Sequence, residues 1–143
     1  IQENADEKKL ADEIAEIALK YKESNVAVVV FVRKVEDVEK IVARLTKEKQ
    51  LVQSLTGTMR GLERDRLNET TIFQRFLPNP PTGEQTVYLV CTSAGEVGVN
   101  ISADHLICDL STFDSMAQRF GRVNRFGFRT DTEIFVVHPK EFD

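Results

Sequence analysis

The sequence predicts an α/β domain in three layers, with a mostly parallel central sheet and helices on both faces. Two observations carry this. Val26–Val32, Thr86–Cys91 and Leu106–Leu110 are short, nearly continuous apolar runs, rich in β-branched residues. They are too short for most helices and lack the alternation of a half-exposed strand, so they suit strands buried on both faces. These runs also alternate with stretches of helical periodicity, the order from which βαβ units and parallel sheets are built.

In order along the chain, residues 7 to about 22 are expected to be helical. Leu10, Ile14, Ile17, Ala18 and Tyr21 recur at helical spacing, and Lys and acidic residues fill the opposite face. Ser24 and Asn25 break the pattern before the first strand. Val35, Val38, Ile41, Val42 and Leu45 mark a second amphipathic helix. Leu51–Leu55 forms a short strand, ended by the turn Thr56-Gly57-Thr58. A third helix is expected from near Met59 toward Phe76. Residues 77–85 hold three prolines and a glycine and are expected to be a loop, because proline removes backbone donors and glycine breaks helices. Ser111-Thr112-Phe113-Asp114 offers caps for a further helix, and Thr132–His138 closes the domain as a last strand.

The 143 residues are expected to form one domain, 1–143, with a core of ordinary size. The lack of an initiator Met suggests a fragment of a longer chain. No apolar run is long enough to span a bilayer as a helix, and the acidic first residues do not resemble a signal peptide. Cys91 and Cys108 lie in strand-like runs without CxxC spacing, so they read as buried thiols in a reducing compartment, the cytoplasm. His105 and His138 do not cluster with them, and no metal site is expected. The net charge of −4 argues mildly against a dedicated nucleic-acid-binding domain without excluding local phosphate contacts.

In parallel sheets, ligands bind at the carboxyl ends of the strands. The residues there are Arg33 and Lys34 after the first strand, and Thr56, Gly57 and Thr58 after the second. Thr92, Ser93, Ala94, Gly95 and Glu96 follow the third, and Ser111 and Thr112 the fourth. Hydroxyls and glycines suit a surface that reads phosphates, although turns and caps favour the same residues.

The most charged stretch is QRFGRVNR, residues 118–125, with three arginines in eight residues. On a continuous helix Gln118, Arg122 and Arg125 would share one stripe, Arg119 would point about a quarter turn away, and Phe120 would be free to pack inward. The rigid, permanently charged guanidinium fork matches phosphate oxygens. A solvated basic face is the plainer reading of such a stripe.

The segment TSAGEVGVNI, residues 92–101, resembles motif V of superfamily 2 helicases, and QRFGRVNR resembles their motif VI. Val28–Arg33 resembles motif IV, and Thr56-Gly57-Thr58-Met59 the segment after it. The chain thus resembles the second, C-terminal RecA-like domain of such a helicase. TGTMRGLERDRL, TSAGEVGVNISADHLICDLS and FDSMAQRFGRVNRFG are closest to the CRISPR-associated type I effector helicase–nuclease.

The resemblance implies roles. Arg122 and Arg125 match arginines that reach the γ-phosphate of ATP, with Gln118 beside them, as the catalytic set. Thr92 matches a threonine that contacts a nucleic-acid phosphate, and Thr56, Gly57 and Ser93 are its implied neighbours along the strand. Gly98 and Asn100 fall on the nucleotide side. Asn100 departs from the pattern, where an aspartate usually stands near the ribose. ATP with magnesium would be bound mainly by the first RecA-like domain, because this chain has no GxxxxGK[ST] and no acidic magnesium motif. The implied partners are single-stranded DNA, the N-terminal RecA-like domain and a nuclease domain of the same parent chain, and a CRISPR RNA-guided surveillance complex. Alternatives are the corresponding domain of a DNA-repair or RNA helicase, a non-catalytic nucleic-acid-binding module, and an interaction domain whose basic face docks an acidic partner.

Overall fold

A computed structural model of the chain describes residues 7–55, 72, 75–76, 85–92, 102–109, 113–120, 123 and 132–137. Its elements are α1 (Glu7–Leu19), β1 (Ala27–Phe31), α2 (Val35–Lys47), β2 (Leu51–Leu55), β3 (Val87–Cys91), β4 (His105–Asp109), α3 (Phe113–Phe120) and β5 (Ile134–Val137). Each strand, together with α1 and α2, agrees with the periodicity that predicts it, within a few residues at the ends. The helix expected over 59–76 and the loop expected over 77–85 lie almost entirely outside the described residues.

The strands form one sheet in the order β2-β3-β1-β4-β5, and every pair in it is parallel. β1 is central, so its apolar run is sealed on both faces. Alternate residues serve different layers. Val28, Val30 and Val32 join Ile14, Ile41 and Leu45 beneath α1 and α2, whereas Ala27, Val29 and Phe31 join Leu89, Leu106 and Phe76 on the other face, with Met116 of α3 packed against them. β2 and β5 are the edges. Leu51, Ile134 and Val136 remain exposed there, as edge strands allow.

Polar groups fix the register. Asp104 donates its backbone N–H to the Ala27 carbonyl at 2.7 Å and accepts the Ala27 N–H on its own carboxylate at 2.8 Å. The Tyr88 hydroxyl donates to the Ala18 carbonyl at 2.7 Å across the sheet–helix layer, and burial pushes its phenol above the ordinary tyrosine range. Asn25 takes a left-handed φ of 54° between α1 and β1, a conformation asparagine tolerates better than most residues. Cys91 and Cys108 are both buried thiols outside any disulfide, as expected. Both pair with Phe31 from opposite sides, so their Cα atoms are two strand spacings apart, about 9.6 Å, beyond the reach of a disulfide. Among the described residues, no helix is long and apolar enough to cross a membrane.

Candidate functional site at the carboxyl edge of the sheet

The strand order locates the site. From β1 the chain crosses toward β2 on one side, and from β4 it crosses toward β5 on the other. β1 and β4 are neighbours, so the topological switch point lies between them. A crevice opens at the carboxyl ends of two strands whose connections diverge in this way. The residues there are Arg33, two positions beyond β1, and Asp109, the last residue of β4.

These residues are joined to α3. The Asp109 carboxylate accepts the Arg33 backbone N–H on Oδ2 at 2.9 Å, and the Arg33 Nε lies 3.5 Å from the same oxygen. Its Oδ1 accepts Arg119 Nη1 at 2.9 Å, and that nitrogen also donates to the Asp109 carbonyl at 2.7 Å. The Arg119 guanidinium stands 5.8 Å from the centroid of the Phe31 ring, within cation–π range. The Asp109 and Arg119 side chains are 3% and 1% exposed, whereas the Arg33 side chain is 47% exposed. A buried carboxylate thus stands between two guanidinium groups. The cluster carries one net positive charge, and its only open member is Arg33.

α3 differs from the helix expected through residue 125. It ends at Phe120, and Val123 instead forms a parallel bridge with Ala103. Val123 thus lies in a bridge and not in a helix continuous through residue 125. Phe120 is 41% exposed rather than packed inward, and Arg119 takes the inner position. Residues 119 and 120 are about 100° apart on a helix, so both cannot face the sheet. The inward set is Met116, Arg119 and Val123, because Asp109 offers Arg119 a carboxylate and a carbonyl that Phe120 could not use.

Thr92 continues the sheet by donating its backbone N–H to the Leu55 carbonyl at 3.1 Å, and the residue is 5% exposed. Gln118 lies in α3, with its side chain outside the described part. Arg122, Arg125, Thr56, Gly57, Ser93, Gly98 and Asn100 lie outside the described residues. Asp109 is the member of this edge that sequence reasoning missed, whereas the sequence places Arg33 there, after the first strand. The available signal was an acid closing the apolar run Leu106-Ile107-Cys108, since a carboxylate on a buried strand needs a cationic or hydrogen-bonded partner.

Solved structures share the fold. The chain superposes on T. fusca Cas3 with ATP at a TM-score of 0.78 and 15% identity, over 99% of this chain and 17% of that one. It superposes on the C-terminal domain of the DEAD-box protein Dbp5 at 0.71 and 24% identity, covering 96% and 74%. S. cerevisiae Dbp5 bound to RNA and ADP BeF3 gives 0.67 and 24%, covering 96% and 34%. The fold is therefore the RecA-like one of helicase C-terminal domains, and the chain spans about a sixth of the length of the Cas3 structures. No curated protein matches it. The family model described as CRISPR-associated nuclease/helicase Cas3, C-terminal, matches residues 24–127, well over half of the chain, and the chain belongs to that family.

Proposed function

We propose that this chain is the second motor domain of an ATP-dependent, superfamily 2 DNA helicase or translocase of the CRISPR type I interference system. ATP with magnesium is held mainly by a first RecA-like domain elsewhere in the parent chain. This domain closes on the nucleotide, Arg122 and Arg125 stabilise charge on the transferring phosphoryl group, and Gln118 orients beside them. Gly98 and Asn100 border the nucleotide. Thr56, Gly57, Thr92 and Ser93 border the strand, with Arg33 as a cation at the same edge. A nuclease domain of the parent chain and an RNA-guided surveillance complex are its further partners, in a reducing cytoplasm where Cys91 and Cys108 remain thiols.

The observation that carries this reading is the family match across the segment with both motif-like stretches, residues 92–101 and 118–125. The switch point, with its net positive cluster, stands where a parallel α/β domain binds ligands. At 5% exposure, Thr92 offers little side-chain surface, so much of its contact with the strand would be through backbone that closure uncovers.

The test is steady-state ATPase of the full-length protein with saturating single-stranded DNA. Arg122→Ala and Arg125→Ala should each lower kcat by about 10³-fold, the order by which arginine fingers act, with a smaller effect on ATP binding. Lysine should restore little, because it lacks the planar fork. Near wild-type kcat in both alanine variants would remove the finger assignment. It would favour a non-catalytic binding module.

A further inference from the structure

We infer that Asp109 is a positioning residue for phosphoryl transfer: acting through Arg119, it fixes the end of α3, from which the chain runs on in sequence to Arg122. The inference rests on the finger reading above and deepens it. Asp109 holds Arg119 by two hydrogen bonds from one nitrogen, at 2.7 Å to its carbonyl and 2.9 Å to its carboxylate. Four residues later, Val123 is fixed to Ala103 by a parallel bridge, and its backbone N–H reaches the Phe120 carbonyl at 3.4 Å. Ala103 in turn precedes Asp104, which is locked to Ala27 at the start of β1 by a reciprocal pair of hydrogen bonds. Arg122 therefore stands in the chain between two anchors, at residues 119 and 123, and both are tied to the central strands.

The Asp109 carboxylate does more than anchor α3. Its second oxygen takes the Arg33 backbone N–H, so one buried group fixes the exit of β1 and the end of α3 together. The Arg119 fork is specific to this task. Its guanidinium lies between the Asp109 carboxylate and carbonyl and the Phe31 ring, with Met116 Sδ at 3.9 Å. A residue serving bulk packing alone would be apolar at this depth, because a buried ion pair brings little net stability over apolar residues of similar volume. What the pair supplies is direction: hydrogen bonds tie Arg119 to the last residue of β4, and packing alone would not.

The test uses the full-length protein with saturating single-stranded DNA. Asp109→Asn keeps the side chain's shape but removes its charge and turns an amide donor onto one of the two N–H groups it now accepts. Arg119→Lys keeps the charge but loses the fork. Val29→Ala, in the buried cluster beneath the same helix, is the control that lowers stability without touching the ion pair. Expected is a fall in kcat of about 10- to 100-fold for Asp109→Asn, the order that a small misplacement of a catalytic group produces, with KM for ATP changed far less. Arg119→Lys should lose less than Arg119→Ala. Val29→Ala should lower the thermal midpoint and leave kcat unchanged.

Normal kcat in folded Asp109→Asn, alongside loss in Arg122→Ala and Arg125→Ala, overturns the positioning role alone. Normal kcat in the two finger variants overturns the finger reading itself. If Asp109→Asn does not accumulate as folded protein, Arg119→Lys is read in the same assay, and normal turnover there overturns the role equally.

Discussion

Asp109 and Arg119 form an ion pair 2.9 Å apart with both side chains almost completely sealed from solvent. A charge at that depth is tolerable only because its partner is present and because each group has a further hydrogen bond, Arg119 Nη1 to the Asp109 carbonyl and the Asp109 carboxylate from the Arg33 N–H.

Removing both partners should therefore cost much less than the sum of removing each alone. Asp109→Ala or Arg119→Ala alone is expected to destabilise the domain by about 3–5 kcal/mol, the usual cost of stranding a buried charge. The double variant should fall well short of the sum, since each single change already abolishes the pairing. Arg33→Ala should cost under about 1 kcal/mol, as its guanidinium is half in water. Denaturant unfolding of the four variants checks this. Additive costs for Asp109 and Arg119 would show that the pair is not the unit of stability.

The sheet was legible because strands buried on both faces write themselves as unbroken apolar runs. Val26–Val32 and Thr86–Cys91 each need no alternation to be read, and α2 reads from Val38, Ile41 and Leu45 at helical spacing. The strand order was not legible, since nothing local in β4 says that it lies beside β1. Nor was the inward turn of Arg119. A helical wheel assigns faces by hydrophobicity and prefers Phe120 inside. Only the tertiary placement of Asp109, ten residues earlier, reverses that choice. The wheel also assumed a helix through residue 125, and it could not foresee that Val123 would be recruited by Ala103. Of the candidate site, the motif-like segments were legible as strings of residues, and Thr92 sits at the carboxyl end of β3 as expected. The switch point was not, because it is a property of topology.

Tyr88 gives the domain an alkaline limit. Burial raises its pKa, so the folded state holds the phenolic proton more tightly than the unfolded chain, which titrates near the ordinary value of 10.0. The corresponding stability is fully present below that pH and is lost as pH rises toward and through the folded value. Unfolding free energy should thus decline above about pH 10. Tyr88→Phe should flatten that decline while costing roughly 0.5–1.5 kcal/mol at neutral pH, the net worth of its hydrogen bond to the Ala18 carbonyl. Denaturation midpoints of the two proteins from pH 7 to 11 make the comparison, and the difference between them isolates Tyr88 from other titrating groups. Parallel pH profiles would mean that the phenol titrates alike in both states.

Arg33 offers a quantitative test of the strand-binding side of the proposal. One carboxylate shared between two guanidinium groups leaves a net positive charge, and the exposed fraction of that charge is on Arg33. Its Nε is 3.5 Å from Asp109, longer than the 2.9 Å of the Arg119 contact, so Arg33 is the looser partner and the one a phosphate could draw away. Asp109 would not be stranded by that movement, because Arg119 and the Arg33 backbone N–H still hold it. Each phosphate neutralised on a single strand adds about 0.7 to the slope of log K against log salt concentration. Arg33→Ala in the full-length protein should reduce that slope by about 0.7, weaken binding similarly for unrelated sequences, and leave unfolding nearly unchanged. Lys at this position should restore the slope, because counterion release needs a charge and not a fork. Titrations of single-stranded DNA at several salt concentrations give the slope directly. An Arg33→Ala protein with the wild-type slope would place the strand elsewhere on the domain, and the open charge at the switch point would then face another ligand.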